Sequence, residues 1–436
     1  MERKAVSGIM LTLLFIGMLT LASNTQQVEA PSDSSSTVGG YISQDTTWTL
    51  DGSPYIVVED VVVESGVTLT IEAGVVVKFT SGTNLVIDGA LVAKGNTTHP
   101  ITFTSNSTDP APGDWGSIRF RDSSNDALCK IAYGNIQYGT TGIIIGTASP
   151  YLSYLNISCN SGNGIYIDGG GGYGDPCITP TITRCNISHN GQNGIEVHGH
   201  HASPIITNNT IKHNIGNGIY CDVWAFSRPE ILCNTISNNG QDAIFTFTDC
   251  HLIPVLISHN ELFENEGCGI HSKYGSPQVI RNIIRKNKIG ILVESLGPAE
   301  VPTVMYNHLY DNDNYDFYAS HFDVDATYNW WGTTNETAIK KHIYDYYDDY
   351  NLGKVLYKPY LVPPIANFTF SPEMPYACGT VTFDASASFN PYGSIINYTW
   401  DFGDGNITTV TSPIITHTYT KSGNFNVTLT VTDDSD

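Results

Sequence analysis

The chain has 436 residues and a formal net charge of −22, from 42 acidic and 20 basic side chains. That excess would repel a polyanion over most of the surface, which argues against nucleic acid as a partner. Gly (41) and Tyr (25) are abundant while charged residues make up only 14%, a balance that points to a β-rich exported protein rather than a helical cytosolic one.

Residues 1–30 read as a secretory signal, because Arg3 and Lys4 precede an apolar run over residues 9–22 that is too short for a membrane span. Residues 31–40, PSDSSSTVGG, read as a flexible leader. No later segment is apolar over the roughly 18 residues a span requires, so the mature chain is expected to be secreted or at the cell surface, with no transmembrane helix. Asn-x-Ser/Thr sequons such as Asn156 and Asn186 permit glycosylation, although two of them fall inside a repeat. The nine cysteines permit disulfides without fixing any pairing, and Cys378 stands apart from the rest.

An internal repeat organises the next three hundred residues. Prolines recur at Pro150, Pro180, Pro204, Pro229, Pro254, Pro277 and Pro302, each followed ten or eleven residues later by Asn160, Asn190, Asn214, Asn239, Asn265, Asn287 and Asn312. A Gly-Ile step then follows, as in Gly164-Ile165, Gly194-Ile195 and Gly218-Ile219, with Ala243-Ile244 as a variant. Pro opens a strand where no ladder bond is lost. The Asn is expected to hold a left-handed turn and to bond its own kind one rung away, and Gly to supply the backbone freedom for entering the next strand. Three short strands per coil describe a solenoid of parallel strands.

On these residues, 41–362 resemble the right-handed parallel β-helix repeat proteins, the superfamily of pectin-lyase-like enzymes and NosD-like copper-processing periplasmic proteins. The entry segment VEDVVVESGVTLTIEAGVVVKF and the exit ATYNWWGTTNETAIKKHIYDYYDD are also similar to that family, with Ile339 and Ile343 at helical spacing to cover the end of the core. Residues 363–436 resemble a polycystic-kidney-disease (PKD) type immunoglobulin-like β-sandwich through the run from Trp400 to Gly405, WDFGDG. That resemblance implies Trp400 between two sheets and Asp401 and Asp404 holding a tight turn, with Ca²⁺ ligation as the alternative. Members of the PKD family usually continue through a further strand, so the chain is expected to be truncated at its C-terminus. The fold class is therefore all-β, a parallel β-helix followed by a β-sandwich.

Counting from the Gly of each coil, the second and fourth residues should point outward. One outward column reads Tyr166, Glu196, Tyr220, Phe245, His271 and Leu292; the other reads Asp168, His198, Asp222, Phe247, Lys273 and Glu294. Loops after this strand bring Tyr173, Asp175, Trp224 and Phe226 to its rim. Rings beside carboxylates suit carbohydrate, so Tyr166, Glu196, Tyr220, Trp224, His271 and Lys273 are the expected contacts with a polysaccharide or surface glycoprotein. Asp168 and Asp222, about 9.6 Å apart over two rungs, with His198 between them, are the residues a glycosidase or lyase reaction would use. The paired-Asp, Gly-His-Gly and Arg-x-Lys set of polygalacturonases is missing from the sequence. His198, His200 and His201 form the candidate set for a transition metal, with His189 and His213 one rung apart. Past the signal, Met305 and Met374 are the only thioethers for Cu(I). The sequence as a whole favours binding of glycan or protein over catalysis.

Overall fold

A computed structural model describes residues 35–434 apart from 172–176, 225, 249–253, 295–300 and 392. The segment read as a secretory signal lies outside the described residues. Among the described residues the first solenoid strand is Ser36–Ile42, which overlaps the stretch read as leader and pairs in parallel with Tyr55–Val63.

About twelve right-handed turns stack their strands into continuous parallel columns. One coil shows the pattern. Ile205–Thr207, Thr210–Lys212 and Ile219–Val223 form its three strands, and each pairs with its counterpart in the next coil, Ile206 with Ile231, Ile211 with Ile236 and Ile219 with Ile244. These isoleucines are wholly buried. Each contributes about 1.5–3 kcal/mol of apolar burial, and the in-register columns make that gain repeat with every turn.

The asparagines form two buried ladders rather than one. In the first, Asn190, Asn214, Asn239 and Asn265 donate from Nδ2 to Oδ1 of the next rung at 2.9–3.0 Å. The second, through Asn209, Asn234, Asn260, Asn282, Asn307 and Asn329, follows the same rule at 3.0 Å. The left-handed backbone expected of these Asn residues belongs to the residue before each. His189, His213, Glu264 and Lys286 have φ of 54–57°, as do Asn208, Cys233, His259 and Arg281. That residue turns the corner and projects outward, which aims the following amide inward along the axis.

Glycine also plays a different part from the one its backbone freedom suggests. Gly164, Gly194 and Gly218 do not have positive φ; a Cβ at Gly194 would lie 2.6 Å from Ile211 Cγ2 and 2.7 Å from the Gly218 carbonyl oxygen. Space between rungs selects Gly there.

At the exit, helix Glu336–Lys341 is capped by Asn335 and buries Ile339. Ile343 covers the core from a strand, Ile343–Tyr344, paired with Tyr315–Tyr318, and not from the helix. Beyond residue 364, two three-stranded antiparallel sheets form a sandwich: Thr369–Ser371, Thr380–Asp384 and Ile414–Thr418 against Ile407–Val410, Ile395–Asp401 and Thr428–Asp433. Trp400 is fully buried between them, 5.5 Å from Phe383 and 5.1 Å from Phe368. No helix among the described residues is long and apolar enough to cross a membrane.

Candidate functional site

The third strand column carries the candidate face. Its register aligns Tyr166, Glu196, Tyr220, Phe245, His271 and Leu292 on successive rungs, and Asp168, His198, Asp222, Phe247, Lys273 and Glu294 beside them. The alternation that buries Ile165, Ile195 and Ile219 forces these neighbours outward.

Each carboxylate on the face is held differently. Glu196 Oε2 accepts Nδ2 of both Asn163 and Asn193 at 2.9 Å, so it lies between Tyr166 and Tyr220. Burial, followed by the charges of Asp168 and Glu196, pushes the Tyr166 phenol up; burial, followed by Asp222 and Glu196, does the same for Tyr220. Both phenols therefore stay protonated donors. Asp168 Oδ1 accepts the Gly170 N–H at 2.9 Å and closes its own turn. Asp222 Oδ1 accepts Trp224 Nε1 at 2.9 Å, while Oδ2 lies 3.4 Å from His198 Nδ1 without hydrogen-bond geometry.

The rings are arranged in two ways. Tyr220 and Phe245 stack face to face, 4.8 Å apart and within 3° of parallel, and His271 meets Phe245 edge-on. Those facing surfaces are spent on each other, so Tyr220 offers its hydroxyl and ring edge rather than a stacking platform. Phe226, 49% exposed, lies on His201 by one face. Trp224 is half-buried, edge-on to His200 at 5.0 Å and 5.9 Å from His198. Tyr173 and Asp175 lie outside the described residues.

The three histidines of HGHH enter three environments. His198 faces Asp222, His200 meets Trp224, and His201 is buried against Phe226 with its Nδ1 3.7 Å from Cys177 Sγ. Among the described residues, metal-ligand atoms converge instead at Asp242, Cys268 and His271, all within 4.8 Å of one another. His271 and Lys273, expected to contact glycan, are engaged with acids: His271 Nδ1 is 3.1 Å from Asp242 Oδ2, its Nε2 is 3.6 Å from Glu294 Oε2, and Lys273 Nζ is 3.7 Å from the same oxygen. The missed signal was positional. Asp242 and Cys268 stand two residues before the first inward Ile, where earlier coils place Asn163, Asn193 and Asn217.

Comparison with known families matches residues 40–162 to a pectate-lyase like beta helix domain, 141–301 to a right handed beta helix region, and 361–436 to a PKD domain. The chain is a right-handed parallel β-helix protein with a C-terminal PKD domain. Among curated proteins, the pre-pro-metalloprotease PrtV of Vibrio cholerae is 40% identical over 73 residues, which span 17% of this chain and 7% of PrtV. A solved structure described by the promiscuous specificity of carbohydrate-binding modules of the β-sandwich superfamily is 47% identical over 17% of this chain and 30% of its own, with a TM-score of 0.17. The mannuronan C-5 epimerase AlgE4 A-module of Azotobacter vinelandii is 10% identical over 76% of this chain and 91% of its own, with a TM-score of 0.37. This β-helix/PKD protein thus shares only small parts of the first two, and the low TM-scores leave the activities of the two solved structures with those structures.

In the PKD domain, Asp401 Oδ1 and Asp404 Oδ1 accept the N–H groups of Gly403 and Asn406, which forms the tight turn expected of them. Asp404 Oδ2 also takes a 2.8 Å hydrogen bond from His417 Nε2. In the β-helix, the described cysteines are free thiols, and burial pushes those of Cys185 and Cys221 up to about 12. These two are packing residues rather than nucleophiles.

Proposed function

We propose that this protein is exported and binds a neutral polysaccharide along the outward face of the third strand column, without cleaving it. The observation that carries the reading is Trp224: its indole N–H is fixed on Asp222, and its half-buried ring, packed edge-on to His200, follows a strand whose outward face is lined by Glu196 and two phenol donors. Rings supply faces for sugar C–H groups, while carboxylates and phenols bond hydroxyls. A net charge of −22 favours a neutral chain over a polyuronate, which the surface would repel. The PKD domain acts as a spacer or adhesion module.

The test incubates the purified chain with neutral and acidic polysaccharides and follows retention, new reducing ends and unsaturated uronide absorbance. Retention on a neutral polymer, lost in Trp224→Ala and unaccompanied by cleavage, is the expected result. Cleavage abolished by Asp222→Asn or His198→Ala would replace binding with catalysis through Asp168, His198 and Asp222. Preferential retention on a polyuronate would overturn the charge argument.

A further inference from the structure

Three coils of the third column place Asn163, Asn193 and Asn217 at the corner before the inward strand, where each accepts from the backbone of the next rung. The next two coils keep the backbone and change the chemistry. Asp242 takes the Asn position, and its Oδ1 accepts the Cys268 N–H at 2.6 Å. Cys268 takes the same position one rung on, buried, with its Sγ within 4.8 Å of the Asp242 carboxylate. The outward residue three places on is His271, whose Nδ1 comes to 3.1 Å from Asp242 Oδ2. The carboxylate fits because Gly267 has no side chain: a Cβ there would lie 2.3 Å from Asp242 Oδ1, and Gly216 makes the same room for Asn193. The repeat provides the cradle, and the sequence fills it here with a carboxylate, a thiol and an imidazole.

We propose that Asp242, Cys268 and His271 form a binding site for one divalent transition metal of the zinc class, with a fourth position open to solvent. Tetrahedral zinc at metal–ligand distances of about 2.0–2.3 Å places its donors roughly 3.5 Å apart. The three donor groups here lie within 4.8 Å of one another, and the imidazole and carboxylate are already at 3.1 Å. Small rotations close the remainder. The donor set is that of zinc rather than of calcium or magnesium, which prefer oxygen alone.

The second nitrogen of His271 supports the assignment. Nε2 is buried without a hydrogen-bond partner and lies 3.6 Å from Glu294 Oε2. A histidine bound to metal through Nδ1 carries its proton on Nε2 and donates it to a carboxylate, and Glu294 is placed to receive it. On binding, the Cys268 thiol gives up its proton to solvent. Thiolate and carboxylate then balance the two positive charges of the ion. The outer edge stays accessible, since the side chains of Asp242 and His271 are 15% and 17% exposed.

The experiment uses the purified chain, stripped with a chelator and titrated with Zn²⁺ by calorimetry and with Co²⁺ by absorbance. One equivalent should bind, and Co²⁺ should develop a thiolate charge-transfer band. Cys268→Ser should abolish that band. Cys268→Ser and His271→Gln should each weaken Zn²⁺ binding by more than 100-fold, and Glu294→Gln by about 10-fold to 100-fold. His198→Gln should leave affinity unchanged. Metal-free melting temperatures report whether each variant folds, and His271→Gln, at the partly exposed edge, carries the test should Cys268→Ser fail to fold. Absence of stoichiometric binding, a cobalt complex without the thiolate band, or binding that survives in His271→Gln and disappears in His198→Gln would overturn the assignment. None of these readouts depends on polysaccharide.

Discussion

Replacing Asn239 by Ala tests whether the amide ladder, rather than the isoleucine columns alone, holds adjacent coils in register. Asn239 is wholly buried; its Oδ1 accepts the Asn214 backbone N–H at 3.1 Å and Asn214 Nδ2 at 3.0 Å, and its Nδ2 donates to Asn265 Oδ1 at 2.9 Å. Truncation removes the acceptor of the Asn214 N–H, while Asn214 Nδ2 keeps the Ile187 carbonyl and Asn265 Oδ1 keeps the Asn239 N–H. One stranded buried donor costs about 1–3 kcal/mol, and the vacated volume adds about 1 kcal/mol more, so a loss of roughly 3 kcal/mol is expected. Asn186→Ala is the control, because its exposed amide makes one bond, to Asn156, and should change stability by less than about 0.5 kcal/mol. Urea unfolding gives the totals, and hydrogen exchange at the Asn214 amide gives the local effect. Equal stability of the two variants, with the Asn214 amide still protected, would refute the ladder as a source of stability.

The other perturbations separate parts of the fold. Gly194→Ala places a methyl 2.7 Å from the Gly218 carbonyl oxygen and should destabilise by about 1–3 kcal/mol in urea, whereas Ala243→Gly, two coils on, should cost less than about 1 kcal/mol. Trp400→Ala empties the centre of the PKD core and should cost about 3–5 kcal/mol, read as loss of a PKD transition in calorimetry while the solenoid transition stays. Hydrogen bonds from Lys358, then Lys340 and Tyr357, hold the Glu336 carboxyl down at about 2 against an ordinary 4.5. Because its folded value is depressed, Glu336 contributes stability that is complete above pH 4.5 and is lost as the pH falls through about 2; Glu336→Gln should therefore flatten the melting profile over that window.

The solenoid is legible in the sequence because its inward positions admit few residues. A stacked Ile or an axial Asn must recur at every turn, so Pro180, Asn190 and Ile195 announce a coil, and the register follows from them. Two local causes were harder to read. The left-handed corner falls on His189, Glu264 or Arg281, residues with no shared chemistry, because their side chains leave the structure there and the constraint is on the backbone. The Gly before an inward Ile, as at Gly164, Gly194 and Gly218, faces a carbonyl one rung away, a contact between residues 24 to 30 apart that is invisible until the coils are stacked. The sandwich was legible through Trp400 and its two turn aspartates.

Outward positions obey the opposite rule: residues adjacent in sequence diverge there, and residues one coil apart converge. A local run of histidines is conspicuous along the chain, yet strand and corner geometry send His198, His200 and His201 to different partners. Asp242, Cys268 and His271 are spread over thirty residues and look ordinary singly, but one rung of parallel stacking places two of them in a single column with the third beside it. In such a solenoid, sequence distance of one coil becomes about 4.8 Å of space. Chemistry is therefore best sought where successive coils replace a structural residue with ionisable ones, and the step from Asn217 to Asp242 to Cys268 is such a replacement, in a column whose earlier amides accept the backbone N–H of the next rung.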